Sequence, residues 1–240
     1  YASFEDAKLV PIESIKVGDR IYGIPSHWSK GKLPVNTVIK VGQREYLGEM
    51  IQVEVDGNHT EYTPNHICIS RVGDAFTGRS VVYMMRRNSQ YRIGRTTWQL
   101  GSQGNTLGIV TRAHMNDADA VWVLSIHDSD PDAALAEALT QYRFGLPSWQ
   151  FVARNELMPL EQFWEAVGNN EDRADSCAKA FGRDILYPLW TKDNHRQWNR
   201  AAVEVRACNL ITGMKFAVAK HYHDTSRRDE VWYQGTVKRR

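Results

Sequence analysis

The triplet Asp56-Gly57-Asn58 constrains this chain more than any other short stretch. Asp, Gly and Asn are the residues of tight hairpin turns, because they accept the positive φ angles that other side chains resist. On one side, residues 50–55 alternate apolar and polar; on the other, residues 59–62 and then 66–70 return with strand character. The spacing predicts a β-hairpin over residues 45–70. At its far end stands Thr63-Pro64-Asn65-His66, where the proline stops a ladder and leaves a hydroxyl and an imidazole three positions apart. Taken alone, that tetrapeptide is an ordinary turn with a surface histidine.

The flanking sequence has the same texture. Gly18-Asp19 predicts a turn into a strand over 20–24, a polar loop follows over 25–34, and residues 35–46 read as a strand pair. No helix is expected before about residue 115. After a small-residue linker at 72–78, residues 80–86 and 91–96 read as two strands joined by the polar turn 87–90. Tyr83 and Tyr91 would then face each other, if the register permits.

Residues 131–143 read as an amphipathic helix, with Ala133, Ala134, Leu135, Ala138, Leu139 and Tyr142 around an inward Glu137. Two more helices are expected at 158–167 and 172–181, with Gly182 closing the second. Lys192, His195, Arg196 and Arg200 beside Trp198 suit a surface that tracks a phosphate backbone, or equally a helical cap whose charges are merely solvated. From residue 203 the β-character returns.

Composition narrows the function classes. No apolar run approaches the roughly 18 residues of a membrane span, and no signal peptide is visible, so a cytoplasmic protein without a membrane partner is expected. The net charge of +2 requires any nucleic acid to be met by a local basic face. Cys68, Cys177 and Cys208 have neither paired nor CxxC spacing, which favours a reducing compartment. His221 and His223 lack a nearby third ligand and make a poor zinc site.

The run Pro11-Ile12-Glu13-Ser14-Ile15-Lys16-Val17-Gly18-Asp19-Arg20-Ile21-Tyr22, together with Thr63-x-x-His66, resembles the first two blocks of intein and hedgehog-type (Hint) self-processing domains. The resemblance implies that His66 protonates the nitrogen of the scissile peptide while Thr63 steadies the strained carbonyl. It aligns Asp6 with a family aspartate and so puts Ala2 at the nucleophile position, after a last flanking residue, Tyr1. A methyl group cannot attack a carbonyl. Ala2 therefore reads as an engineered replacement that traps an unspliced precursor, the alternatives being a natural alanine or a cloning scar. The segment from Trp198 to Phe216 resembles the resumption of a Hint domain after an insertion, and the family's closing blocks are not found before Arg240. A truncation or a split intein completed by a C-terminal fragment is expected.

Val82-Tyr83, Tyr91-Arg92-Ile93-Gly94-Arg95-Thr96 and Thr111-Arg112-Ala113-His114, followed by the Glu137 helix, resemble the GIY-YIG nucleases. That resemblance implies hydrolysis of a DNA phosphodiester. Tyr83 and Tyr91 would activate and orient water and phosphate, and Arg112 would meet the developing charge, with Arg95 as its competitor. Glu137 would hold one Mg²⁺, and His114 would assist as base or cap its helix. Arg95, Lys192, Arg196 and Arg200 are the DNA-contacting candidates.

The expectation is a mixed fold. An all-β, horseshoe-like Hint domain (residues 2–75 and 201–240) is interrupted by an α/β GIY-YIG-like nuclease (76–150) and a helical DNA-contacting region (151–200). The implied function is a protein-splicing intein that nests a Mg²⁺-dependent homing endonuclease. Its partners are double-stranded DNA, the flanking extein host and a completing intein fragment; splicing itself needs no cofactor. A degenerate, DNA-binding-only insertion and a non-splicing hedgehog-type domain are the alternatives.

Overall fold

The computed structural model describes residues 8, 10–22, 35–71, 78–97, 108–152, 159–192, 203–217 and 232–239. They form a mixed architecture, mostly β-sheet with four helices. Two short strands, β1 (Arg20–Tyr22) and β2 (Val35–Thr37), pair with each other and with no other strand among the described residues. The expected strand pair over 35–46 is thus reduced to β2. Its partner is β1, with Gly18 and Asp19 closing the ladder onto Val38, and beyond it Ile39 lies in solvent.

The predicted hairpin forms as β3 (Ile51–Val55) and β4 (Asn58–Tyr62). Only Asp56 and Gly57 lie in the turn, at φ 49° and 74°, and the Asn58 side chain donates to the Asp56 carbonyl. This left-handed pair matches the twist of the strands it joins. Gly57→Ala is expected to cost about 1 kcal/mol in chemical denaturation, since alanine resists that φ.

Strand β5 (Ile67–Arg71) does not extend the hairpin. It pairs with β10 (Val203–Arg206) on one side and β11 (Lys215–Ala217) on the other, while β12 (Trp232–Arg239) bridges β11 and β3. The resulting six-stranded order is β10-β5-β11-β12-β3-β4. It joins segments from both ends of the described chain, so this sheet is complete only after the chain has left and returned.

Between those segments lies a second sheet, ordered β7-β6-β8-β9. Its strands are β6 (Ser80–Arg87), β7 (Gln90–Thr97), β8 (Ala120–His127) and β9 (Trp190–Thr191). Residues 80–85 of β6 are all buried, because helices cover both faces. On one face α1 (Gly108–Met115) packs Ile109, Val110 and Ala113 against Val81, Tyr83 and Met85. That cluster continues into the six-stranded sheet through Ile51, Val53, Phe216 and Val205. On the other face α2 (Asp130–Phe144) and α4 (Glu171–Ala180) enclose Val82, Met84, Tyr91, Ile93 and Trp122. Helix α3 (Leu160–Val167) adds Leu160 and Trp164 to the first cluster.

Two expectations are corrected here. Helix α1 begins at Gly108, ahead of residue 115. More unexpectedly, α2 is turned over: Leu135, Leu139 and Tyr142 are exposed, while Ala133 and Thr140 are buried. The helix lies close on the sheet, so its small side faces inward and its large apolar residues have no room there. Its ends follow local rules, with the Ser129 hydroxyl accepting from the Asp132 amide and Gly145 taking the left-handed cap at φ 63°. No helix among the described residues is long and apolar enough to cross a membrane.

Candidate functional site at the edge of the four-stranded sheet

The two-residue turn Asn88-Ser89 sets the register of β6 against β7, pairing Arg87 with Gln90, Arg86 with Tyr91 and Tyr83 with Gly94. Directly paired residues share a face. Tyr83, Arg92 and Gly94 therefore lie on the α1 side, and Tyr91, Ile93 and Arg95 on the α2 side. The two tyrosines do not meet. Tyr91 is buried against Trp122, with ring centroids 6.0 Å apart, in a different cluster from Tyr83.

Tyr83 lies across its partner strand. A Cβ added to Gly94 would stand 2.6 Å from the Tyr83 hydroxyl oxygen, so the phenol fills the space that a side chain would occupy. β7 is the edge strand, and the hydroxyl is therefore carried toward the sheet margin. Beside it is Arg92, only 6% exposed, which donates from Nη1 to Asn116 Oδ1 (3.3 Å) and from Nη2 to the Ser148 carbonyl (2.5 Å). Asn116 donates in turn to the Arg112 carbonyl at 2.9 Å, which ties Arg92 to the end of α1.

Around the margin, α2 contributes carboxylates. Asp130, Ala133, Glu137 and Thr140 form one stripe of the helix, and Arg95 reaches across to it. Its Nη1 stands 3.4 Å from Glu137 Oε2 and its Nη2 3.2 Å from Asp130 Oδ2. Both carboxylates thus converge on a single guanidinium.

These groups feel one another. Burial pushes the Tyr83 phenol above its usual range, against the opposing pull of Arg92 and Arg112, while Glu137 adds to the rise. Burial lowers the Arg92 guanidinium, and Tyr83 and Glu137 counter it. The Glu137 carboxyl is raised by burial, with Arg95 and Arg92 pulling it down and Asp130 pushing it up. Tyr83 and Arg92 thus lie on the α1 side of the edge, and Arg95 with Glu137 and Asp130 on the α2 side.

No family model, curated protein or solved structure matches this chain.

The remaining candidates are placed as follows. His114 is exposed on α1, edge-on to Trp190 at 5.6 Å. Lys192 donates to Asp117 at 2.7 Å, an exposed pair in which Asp117 raises the lysine and is itself lowered. In the turn before β5, the Thr63 hydroxyl donates to Asn65 Oδ1 at 3.0 Å and His66 stacks on Tyr62 at 4.7 Å. Asn65 therefore completes the turn, and His66 stays exposed. Tyr1, Ala2, Arg196 and Arg200 lie outside the described residues.

Sequence reasoning gave no role to Arg92, Asn116 or Asp130. The first was within reach. A two-residue turn at Asn88-Ser89 pairs positions whose numbers sum to 177, so Tyr83 falls opposite Gly94 and shares its face with Arg92. Asp130 follows from Glu137 by two helical turns, but only once the helix is known to begin at residue 130.

Proposed function

We propose that this chain carries a phosphodiester-cleaving centre at the outer edge of β7, of the GIY-YIG kind, within an intein-like β-domain. The observation that supports the reading is at the edge strand β7, where Tyr83 lies across Gly94 on one face and Arg95 meets both Glu137 and Asp130 of α2 on the other. Tyr91, which the resemblance made the second tyrosine, lies on the opposite face from Tyr83, and Arg92 is the neighbouring residue that shares the face of Tyr83.

Each side chain has a definable task. Arg112 and Arg92 supply fixed positive charge for a phosphate whose oxygens gain charge during cleavage. The Tyr83 hydroxyl orients that phosphate. Glu137, with Asp130, offers hard oxygen donors where a cationic group already sits, and one or two carboxylates completed by substrate phosphate is the usual way Mg²⁺ is held. When bound there, the ion would supply Lewis-acid stabilisation of the reacting oxygens. Among the described residues no three His, Cys, Asp or Glu side chains gather as a metal cage.

The intein-like part rests on the Thr63–His66 turn and on a sheet assembled from segments on both sides of the proposed nuclease. An interrupted β-domain would be built in this way. Restoring cysteine at position 2, supplying the closing strands and looking for ligated flanks tests splicing against a hedgehog-type reaction.

The nuclease reading is tested by nicking of supercoiled DNA with Mg²⁺. Glu137→Gln is expected to lose at least roughly two orders of magnitude in rate. The same change should leave the melting temperature at pH 7 unchanged or slightly raised. The folded-state pKa of Glu137 lies above its unfolded value, so its charge opposes folding at neutral pH and stability is regained as the pH falls through the raised value. A Gln variant that unfolds, or one that nicks at the wild-type rate, overturns the assignment. DNA binding without any nicking by the wild type would reduce the insertion to a binding module.

A further inference from the structure

Helix α2 turns its large apolar side chains outward. Leu135, Leu139 and Tyr142 recur at intervals of four and three, so they form one stripe, on the side opposite Ala133 and Thr140. They are 62%, 58% and 91% exposed. Single apolar residues on a surface are ordinary, but three in succession along one helix make a ridge that water covers unfavourably.

The charges on that side have an order. Asp132 opens the outer face and Arg143 closes it, and both are exposed. The one charged residue between them, Glu137, faces the other way, toward Arg95. Asp132 accepts from the Ser129 hydroxyl through Oδ2 and keeps its second oxygen. Arg143 lies over the Phe144 ring, 5.3 Å from its centre, and forms no ion pair among the described residues.

An acid at the start and a base at the end suit the helix dipole. They also make the face complementary to itself. When a second α2 is laid antiparallel on the first, with the two-fold axis beside residue 137, Leu135 comes opposite Leu139, Asp132 opposite Arg143 and Pro131 opposite Tyr142. Each pair is centred within one residue of the axis. At 3.6 residues per turn, Asp132 and Arg143 fall on one flank of the stripe and Pro131 and Tyr142 on the other, so the rotation sets each flank against itself. A two-fold contact demands such a patch, whereas an unrelated partner has no need of an acid and a base placed symmetrically about the leucines.

We propose that α2 is a self-docking surface, through which two copies of this chain associate with their α2 helices antiparallel. The leucines are buried at the two-fold axis, and Asp132 of one copy pairs with Arg143 of the other. One helix pair is small beside the roughly 1,200 Å² of a standard interface, so the dimer is weak, with a dissociation constant on the order of 100 µM. The association does not depend on the nuclease reading. Combined with that reading, it brings two cleaving centres together, each on the inner side of its own α2, in the two-fold relation that the two antiparallel strands of a duplex present.

The test is sedimentation equilibrium of the full chain from low micromolar to millimolar concentration. The wild type is expected to rise from the 27.5 kDa of one chain toward twice that mass. Leu139→Glu should weaken association at least roughly tenfold and leave the melting temperature of the dilute protein unchanged, because the side chain is exposed in a single copy. Asp132→Lys and Arg143→Glu, each alone, turn both ion pairs into repulsions and should weaken it roughly tenfold as well. Mixed in equal amounts, these two charge variants should associate about as tightly as the wild type, since every reversed charge then meets its opposite. Only an antiparallel contact between copies yields that rescue.

Melts of dilute samples report whether each variant is folded, and the charge variants carry the test if Leu139→Glu is not. A wild type that keeps the mass of one chain throughout, as it would if the stripe served a different partner, overturns the proposal. So does a dimer indifferent to the changes, or a pair of charge variants that mixing fails to rescue. A wild type that dimerises in this way but never nicks DNA removes the nuclease and leaves this proposal standing.

Discussion

Asn170→Ala should lower the stability of this protein by about 3 kcal/mol, a drop in melting temperature on the order of 10 °C. Asn170 sits just ahead of α4, 3% exposed, and holds the open edge of β7. Its Oδ1 accepts from the Tyr91 amide at 2.7 Å and its Nδ2 donates to the Tyr91 carbonyl at 2.8 Å. One side-chain amide thus does for this residue what a neighbouring strand would do. Alanine leaves both backbone groups buried and unpaired, each costing roughly 1–3 kcal/mol, which is why so small a change should be felt so strongly.

Asn170→Asp separates this account from simple loss of volume. The carboxylate still accepts from the Tyr91 amide but faces the Tyr91 carbonyl with lone pairs. Protonation restores the donor, so the folded state raises the aspartate's pKa above its unfolded value. The variant should therefore gain stability relative to wild type as the pH falls toward that raised value, and lose it as the pH rises. Thermal melts between acid and neutral pH decide the matter; a penalty that does not change with pH refutes the hydrogen-bond explanation.

Gly94→Ala is expected to cost about 2 kcal/mol or more and to disable the site at the same time. The new methyl would stand 2.6 to 2.8 Å from three atoms of the Tyr83 phenol, distances at which something must move. Tyr83 is 2% exposed and its ring is rigid, so it cannot swing aside as a surface side chain would. Either the ring is displaced from its place across Gly94 or β7 shifts away from β6. The double variant Gly94→Ala, Tyr83→Phe would relieve little, because the ring carbons clash along with the hydroxyl oxygen. Strong non-additivity with Tyr83→Ala, which removes the ring, is the decisive measurement. If the alanine variant melts with the wild type, the close approach of phenol and strand is not real.

The elements whose signals are local were legible. Asp56-Gly57 announced its hairpin because a left-handed two-residue turn is a property of the turn residues themselves. The strands at 80–87 and 90–97, and the helices at 130–144, 160–167 and 171–180, fell within a few residues of where periodicity and capping put them. β8 escaped notice, although it is a central strand, because a continuous apolar run such as Val121-Trp122-Val123-Leu124 has no period by which to recognise it. The face of α2 was misjudged for a related reason: its large apolar residues look like a core stripe, but a helix held tightly on a sheet buries alanine and threonine in preference.

The candidate site divides in the same way. Tyr83, Arg112 and Glu137 were named only by the family resemblance, and the position of Arg92 followed from a turn of two residues. The separation of Tyr91 from Tyr83 was fixed by strand register, since one residue more or less in the turn would exchange the faces. That Arg92 is buried, and that Asp130 and Glu137 share one guanidinium, depends on elements distant in the chain coming to lie side by side. Turns, caps and periodicities are local and belong to the sequence by itself. The burial of a charge, and the neighbours it meets there, exist only when strands and helices have packed, and only the tertiary structure could decide them.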